Sequence, residues 1–299
     1  MSVATETIVL EDEIAPHNAH ADRDLELPVT VIEARRGWQL VDAAELWRHR
    51  ELLYFLTWRD VKVRYKQTVL GAAWAILQPA AMMIVFSLFF ARVAQAPSGD
   101  VPYPLFVLCG LLPWFFFSNS ISSAAQSIVA NQNLVTKVYF PRLMIPASAV
   151  AAGLVDFLIG LALLAPMMLY YQVAPTVQVL WVAPLIVLLV LMALGVGTLL
   201  SALTVAYRDF RHVVPFMVQL WMFATPAVYL NAGQAFGPRW NSLLPLNPAY
   251  GLIANFRAAV LGTPMDWTAL GVSTGVVMSV LLVGLVYFRR VERGFADII

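Results

Sequence analysis

The chain has 299 residues, 60% of them hydrophobic and only 12% charged, with a mean hydropathy of +0.74; a soluble domain is about a quarter charged, and one of this size could not bury so much apolar surface, so a water-soluble enzyme is excluded. Nineteen Lys and Arg against 18 Asp and Glu leave a net charge of +1, without the basic footprint of a nucleic-acid binder. The single cysteine, Cys109, excludes an intramolecular disulfide and a cysteine zinc site, and its apolar surroundings mark it as a small core residue.

Residues 1–43 form an acidic stretch without helical or strand periodicity. Up to residue 45 the chain carries ten acids against Arg23, Arg35 and Arg36. We read residues 1–43 as a cytoplasmic tail, disordered until bound, with no assigned role. Its acidic start is the opposite of a signal peptide.

Residues 44–67 follow as an amphipathic helix. Trp47, Tyr54, Trp58, Val61 and Tyr65 fall on one stripe, with Arg59, Lys62 and Lys66 on the next. Aromatics beside bases suit an element lying in the membrane interface. Two readings stand. The helix anchors the chain to anionic headgroups, or its bases receive an anionic lipid-linked substrate.

Residues 68–299 hold six segments of the roughly 20 apolar residues that a membrane helix needs, near 69–94, 103–130, 143–171, 178–206, 213–230 and 267–288. With both termini cytoplasmic, and 289–299 as the cytoplasmic end, fifteen bases from Arg35 onward lie inside and only Arg92, Arg239 and Arg257 outside, with Arg23 far out in the tail left over. Pro79, Pro113 and Pro166 are expected to kink or interrupt their spans. Ala193, Gly197 and Ser201 repeat every four residues, as do Gly271 and Gly275, a spacing that lets helix backbones approach closely in lipid.

Two inner loops stand out. Asn131–Arg142 pairs Leu134 with Val138 and Val135 with Tyr139 at i,i+4, so one short helix ending at Pro141 would present an apolar knob. It is either a docking element for a soluble partner or a plain surface turn. Tyr207–His212 has an Arg-Asp-Phe-Arg core suited to cap a helix end and touch the same partner.

The outer stretch 231–266 holds four prolines and four glycines. Asn247-Pro248 reads as an N-cap with proline at the first helical position. Ala249, Leu252, Ile253, Phe256 and Val260 then follow one helical face. From Pro248 to Leu261 such a helix is about 21 Å long, too short for a hydrocarbon core of about 30 Å. It is therefore expected to be re-entrant and a candidate outer gate. Trp240, Tyr250 and Trp267 also fit ordinary interface aromatics.

No Gly-Lys dipeptide occurs, so no phosphate-binding loop of the G-x-x-x-x-G-K kind is encoded. The four histidines are scattered, with no metal-site spacing. Asp156 is the sole acid within the six segments. A lone acid makes a poor proton relay, and a hydrogen-bonded packing role is expected for it. Energy for any transport must come from another chain.

The run Trp58-Arg59-Asp60-Val61-Lys62-Val63-Arg64-Tyr65-Lys66-Gln67-Thr68-Val69-Leu70-Gly71, with Trp74 and Gln78-Pro79, resembles the start of type-2 ABC exporter permeases for polysaccharides. Asn133–Arg142, Tyr207–Phe210, Asn247-Pro248 and Glu292–Asp297 match in order. The resemblance covers about residue 45 to the end. It implies an all-α, six-span integral membrane permease with an N-terminal interface helix and re-entrant periplasmic gate helices between spans 5 and 6. It implies a homodimer among membrane lipids in the inner membrane, paired with two copies of an ABC ATPase that bind Mg-ATP. The cargo it implies is an undecaprenyl-diphosphate-linked glycan such as O-antigen, capsule or teichoic acid.

Mapped onto this chain, Arg59, Lys62, Arg64 and Lys66 meet the anionic headgroup. Asn133, Leu134, Val135, Lys137, Val138, Tyr139 and Arg142 couple to the ATPase. Trp240, Asn247, Pro248, Tyr250 and Phe256 belong to the periplasmic gate. The aromatics Trp74, Phe86, Phe89, Phe90, Phe216, Trp221 and Phe223 are candidate rails for a sliding glycan, each with lipid-facing or core packing as the alternative. No catalytic or metal-binding residue is assigned. A type-2 permease for a small drug-like molecule and a membrane enzyme acting on lipid-linked sugars remain as other readings.

Overall fold

The computed structural model describes residues 47–66, 68, 70–93, 101–225 and 244–295, with the backbone alone at 90–93, 245 and 293. Among these residues the protein is helical, without strands. In chain order the helices are α1 (Arg50–Tyr65), α2 (Trp74–Val93), α3 (Tyr103–Ala130), α4 (Gln132–Lys137), α5 (Met144–Leu161), α6 (Leu164–Tyr170), α7 (Val182–Ala206), α8 (Phe210–Ala224), α9 (Pro248–Leu261) and α10 (Trp267–Val291). Short 3-10 turns precede α2 (Gly71–Ala73), α7 (Val177–Trp181) and α9 (Leu244–Leu246), and one follows α10 (Glu292–Gly294).

Among the described residues, five helical segments are long and apolar enough to cross a bilayer: Gly71–Phe89, Tyr103–Ala130, Met144–Tyr170, Val177–Ala206 and Trp267–Val291. The protein is accordingly a multi-pass membrane protein. The segment expected at 213–230 begins as α8, which has 15 residues and ends where Thr225 turns extended; residues 226–230 lie outside the described residues. So do the tail 1–43 and the start of the interface helix at 44–46.

The most buried span is α3, and α5, α7 and α9 pack around it. Leu105, Leu108, Leu111, Phe117 and Ile121 of α3 are fully buried there. A second cluster closes the end of the bundle that carries most of the bases. It gathers Leu56 of α1, Val135 of α4, Ile145 of α5, Phe288 of α10 and Phe295.

Only one of the three expected proline breaks interrupts its helix. Pro166 lacks an N–H, and its ring crowds the Ala162 carbonyl four residues back. There α5 gives way to α6, as the Ala162 and Leu163 amides donate to the Ile159 and Gly160 carbonyls, three residues back, at 3.2 and 3.0 Å. Pro79 and Pro113 lie inside uninterrupted α2 and α3. In the loop before α8, Asp209 occupies the N-cap position, but its carboxylate makes no cap hydrogen bond.

The small residues divide in the same way. On α7, Ala193 and Ser201 are fully buried, and a Cβ on Gly197 would lie 2.8 Å from the Ala124 Cβ of α3. Gly271 and Gly275, expected to do the same on α10, have nothing within 4 Å of a Cβ. The close approach of α10 to α7 runs instead through Gly195, where a Cβ would sit 2.7 Å from the Leu281 Cα, and through Gly284 against the Gly195 carbonyl. A methyl on Gly195 meets backbone, which cannot rotate away. Gly195→Ala should cost about 1–3 kcal/mol by overpacking, seen as a lower thermal midpoint in detergent. Gly275→Ala should leave the midpoint unchanged.

Candidate functional site

Helix α1 meets the bundle with only the end of its aromatic stripe, at Tyr65. Trp47, Tyr54 and Trp58 are exposed, whereas Leu56 is buried in the basic-end cluster with Leu52 and Leu53 against it. The polar continuation of this inner face fastens α1 to α5. Asp60 accepts a hydrogen bond from the Ser148 hydroxyl at 3.1 Å. One turn on, the Arg64 guanidinium and the Tyr65 hydroxyl donate to the two oxygens of Asp156. Burial pushes the Tyr65 phenol above its ordinary 10.0, against the lowering pull of the Arg64 charge. It therefore stays protonated, and remains a donor, at physiological pH.

Asp156 thus has the hydrogen-bonded role expected of it, but its partner is a base expected to meet a phosphate. The four candidate headgroup residues fall into two kinds. Arg64 is taken by Asp156, and Arg59 pairs with its neighbour Asp60 at 2.8 Å. Lys62 and Lys66 are exposed and have no acidic partner among the described residues.

Beside the Asp156 cluster opens a cleft of about 420 Å³ between α2, α3 and α5. Arg64, Tyr65 and Asp156 line it, together with Trp74 and Gln78 of α2 and Phe115, Asn119, Ser122 and Ser123 of α3. Of the other candidate rails, Phe89, Phe216 and Phe223 are exposed and Phe86 packs half-buried against the core. Trp221 is held inside the protein: it packs edge-on against Phe117 at 5.0 Å and its indole N–H donates to Asn247 at 2.9 Å. The Phe90 side chain lies outside the described residues.

The short helix expected before Pro141 is present as α4, but it ends at Lys137, and Val138 is extended. The i,i+4 pairs therefore do not stand on one helix. Val135 is buried in the basic-end cluster with Leu134 half-buried beside it, while Val138 and Tyr139 project with 52% and 80% exposure. Asn133 and Lys137 are exposed as well. Arg142 donates to the Glu292 carbonyl, which ties the loop to the end of α10.

Helix α9 runs from Pro248 to Leu261 with Asn247 as its N-cap, as expected. The Asn247 side chain is fully used. Its oxygen accepts from the Ala249 amide at 3.1 Å and from Trp221, and its nitrogen donates to the Thr225 hydroxyl at 2.8 Å and the Ala224 carbonyl at 3.3 Å. One residue therefore starts α9 and binds the last turn of α8. Gly262 closes α9 at φ 72°, with its amide donating to the Ala258 carbonyl.

All five residues of the expected apolar face of α9 are buried, and so are Gly251, Asn255, Ala258 and Ala259. Phe256 lies in the core, 6.0 Å from the Phe157 ring, and Tyr250 is half-buried. The Arg257 guanidinium carbon sits 3.7 Å above the Phe106 ring centre. Trp240 lies outside the described residues.

Sequence reasoning passed over the polar residues of α3 at the cleft. Their signal was present, since Asn119, Ser122, Ser123 and Gln126 follow helical spacing inside an apolar run. The Asp156 partnership carried no local signal, because its members stand 91 and 92 residues apart.

The family described as ABC-2 type transporter matches residues 51–261. An O-antigen export system permease protein RfbA of Myxococcus xanthus is 34% identical over 216 residues, 72% of this chain and 82% of the relative. A permease of the same name from Klebsiella pneumoniae is 28% identical over 253 residues, 83% of this chain and 95% of the relative. The polysialic acid transport protein KpsM of Escherichia coli is 24% identical over 243 residues, 79% and 91% of the two chains.

Two substitutions test these contacts. Asp156→Ala strands Arg64 and Tyr65 and should cost about 1–2 kcal/mol, a partly exposed ion pair being worth less than a buried one. The end of α1 should then become cleavable by protease. Asn247→Ala removes a cap and three hydrogen bonds to the end of α8 together. It should lower the thermal midpoint by more than Trp221→Phe, which loses a single hydrogen bond of about 1 kcal/mol.

Proposed function

The chain belongs to the ABC-2 type transporter family, and on that footing we propose that it is the membrane subunit of an ATP-driven exporter carrying a lipid-linked polysaccharide, of O-antigen or capsular kind, across the inner membrane. In this reading two copies form a homodimer, and hydrolysis of Mg-ATP takes place in a paired ABC ATPase. The names of the relatives support the cargo class. The excess of fifteen bases over three supports cytoplasmic termini. Helix α8 belongs to the fifth of six spans, and α9 is the re-entrant helix of the outer gate.

The observation that carries the cargo assignment is the basic last turn of α1 at a cleft within the spanning bundle. Lys62 and Arg64 stand in that turn, and Lys66 caps it. Arg64 reaches the cleft lining. A diphosphate needs several cationic donors while its lipid tail stays in hydrocarbon, and α1 offers both surroundings. Lys62 and Lys66 make the first contact, because no carboxylate among the described residues holds them.

Force from the ATPase enters through Tyr139 and Val138. Val135 and Arg142 are anchored on either side of them, in the basic-end cluster and on the Glu292 carbonyl. Displacement of the knob therefore moves α4 together with the ends of α5 and α10. The ATPase closes, the loop shifts, and the path along the dimer axis opens.

One export assay tests both halves of this reading. Replacing Lys62 and Lys66 by Ala should cut surface polysaccharide by about tenfold or more, given about 1.5 kcal/mol or more per charge-assisted contact, while the ATPase still co-purifies. Tyr139→Asp should release the ATPase and leave the chain folded in the membrane. Normal surface polysaccharide in the double lysine variant would sink the headgroup role.

A further inference from the structure

Within the most buried span, four polar side chains of α3 remain accessible: Asn119, Ser122, Ser123 and Gln126. They stand at i, i+3, i+4 and i+7, in one stripe about 10 Å long. The neighbouring polar residues Ser118, Ser120 and Ser127 are buried instead, and Ser118 and Ser127 donate to carbonyls of α3 itself. None of the four stripe side chains has a hydrogen-bond partner among the described residues. In hydrocarbon an amide or hydroxyl without a partner is strongly disfavoured, so this strip of α3 is built to meet water or a hydroxyl-rich molecule.

The cleft says which. Asn119, Ser122 and Ser123 share it with the exposed ring of Trp74, with Phe115 and with the amide of Gln78. Amides and hydroxyls exchange hydrogen bonds with sugar hydroxyls, and aromatic faces cover the C–H faces of a pyranose. We propose that the α3 stripe is a sugar-contacting wall of the export path, on which the wet edge of the glycan slides while Trp74 and Phe115 take its apolar faces. This rests on the polysaccharide-export reading above. It moves the hydrophilic contacts to α3, a helix to which no candidate site residue had been assigned.

Single cysteines test the wall in the full chain with its ATPase in membrane vesicles. Cys109 is fully buried, so the unmodified chain is the blank. The probe is a charged, membrane-impermeant maleimide, applied from either face. Asn119→Cys, Ser123→Cys and Gln126→Cys should label at least about tenfold faster than Leu282→Cys on the exposed apolar face of α10, because the reactive thiolate forms only in water. Stripe cysteines as slow as Leu282→Cys would overturn the proposal. So would their oxidative cross-linking between two copies, which would make the stripe a packing surface.

The cargo contact has its own arm. Asn119→Leu with Ser123→Leu should reduce surface polysaccharide at least fivefold, about 1 kcal/mol at 1.4 kcal/mol per tenfold, with the membrane level of the chain unchanged. Asn119→Gln with Ser123→Thr should restore it. Unchanged polysaccharide in the leucine variant would refute the contact. Deleting the chain separates the two levels of inference. If surface polysaccharide survives deletion, the export reading itself fails; if polysaccharide is lost on deletion but the stripe is unreactive, only the wall fails.

Discussion

A carboxylate inside a bilayer is tolerable only when its charge is answered within the protein, and Asp156 is answered by Arg64 and Tyr65. Much of the basic end follows from this requirement. The pair fixes α1 along α5, and one turn earlier Asp60 and Ser148 hold the same register. With α1 so placed, Leu56 reaches the cluster of Val135, Phe288 and Phe295. Helix α1, the α4 loop and the end of α10 thus share one packed unit. Trp47, Tyr54 and Trp58 of α1 stay exposed, as do Lys62 and Lys66.

At both ends of α9 the backbone is answered by side chains in the same way. A helix that stops within membrane depth exposes amides that water cannot reach. Asn247 answers at the start of α9 by capping it and binding the last turn of α8. Where α9 turns into α10, Asn255 donates to the Gly251 carbonyl at 2.8 Å and to the Asp266 carbonyl at 3.0 Å, and Asp266 caps α10 through the Ala269 amide. The candidate gate is therefore framed by asparagine and aspartate side chains bound to backbone.

Local features were legible in the chain. The limits of α9 follow from Asn247-Pro248 at one end and Gly262 at the other, since cap chemistry acts within a few residues. The long spans follow from hydropathy alone. What depends on distant partners was not legible. Gly271 and Gly275 carry the same small-residue spacing as Ala193 and Gly197, but the face they occupy is open while that of α7 meets α3. Pro166 breaks its helix and Pro113 does not, although both lie in apolar runs. The candidate headgroup residues changed most: four bases that look equivalent by spacing divide into two that acids already hold and two without an acidic partner among the described residues.

Chain order gives the Asp156 pair a bearing on synthesis. Arg64 and Tyr65 lie in α1, ahead of the five described spans, so they are made before α5 leaves the ribosome. A lone aspartate at the centre of a nascent helix opposes insertion by about 2.5–3.5 kcal/mol. Met144–Tyr170 is strongly apolar otherwise, and the α1 base can meet its acid as the segment partitions sideways into lipid. An N-terminal element that follows its span into the bilayer in this way acts as an assembly factor encoded in the same chain.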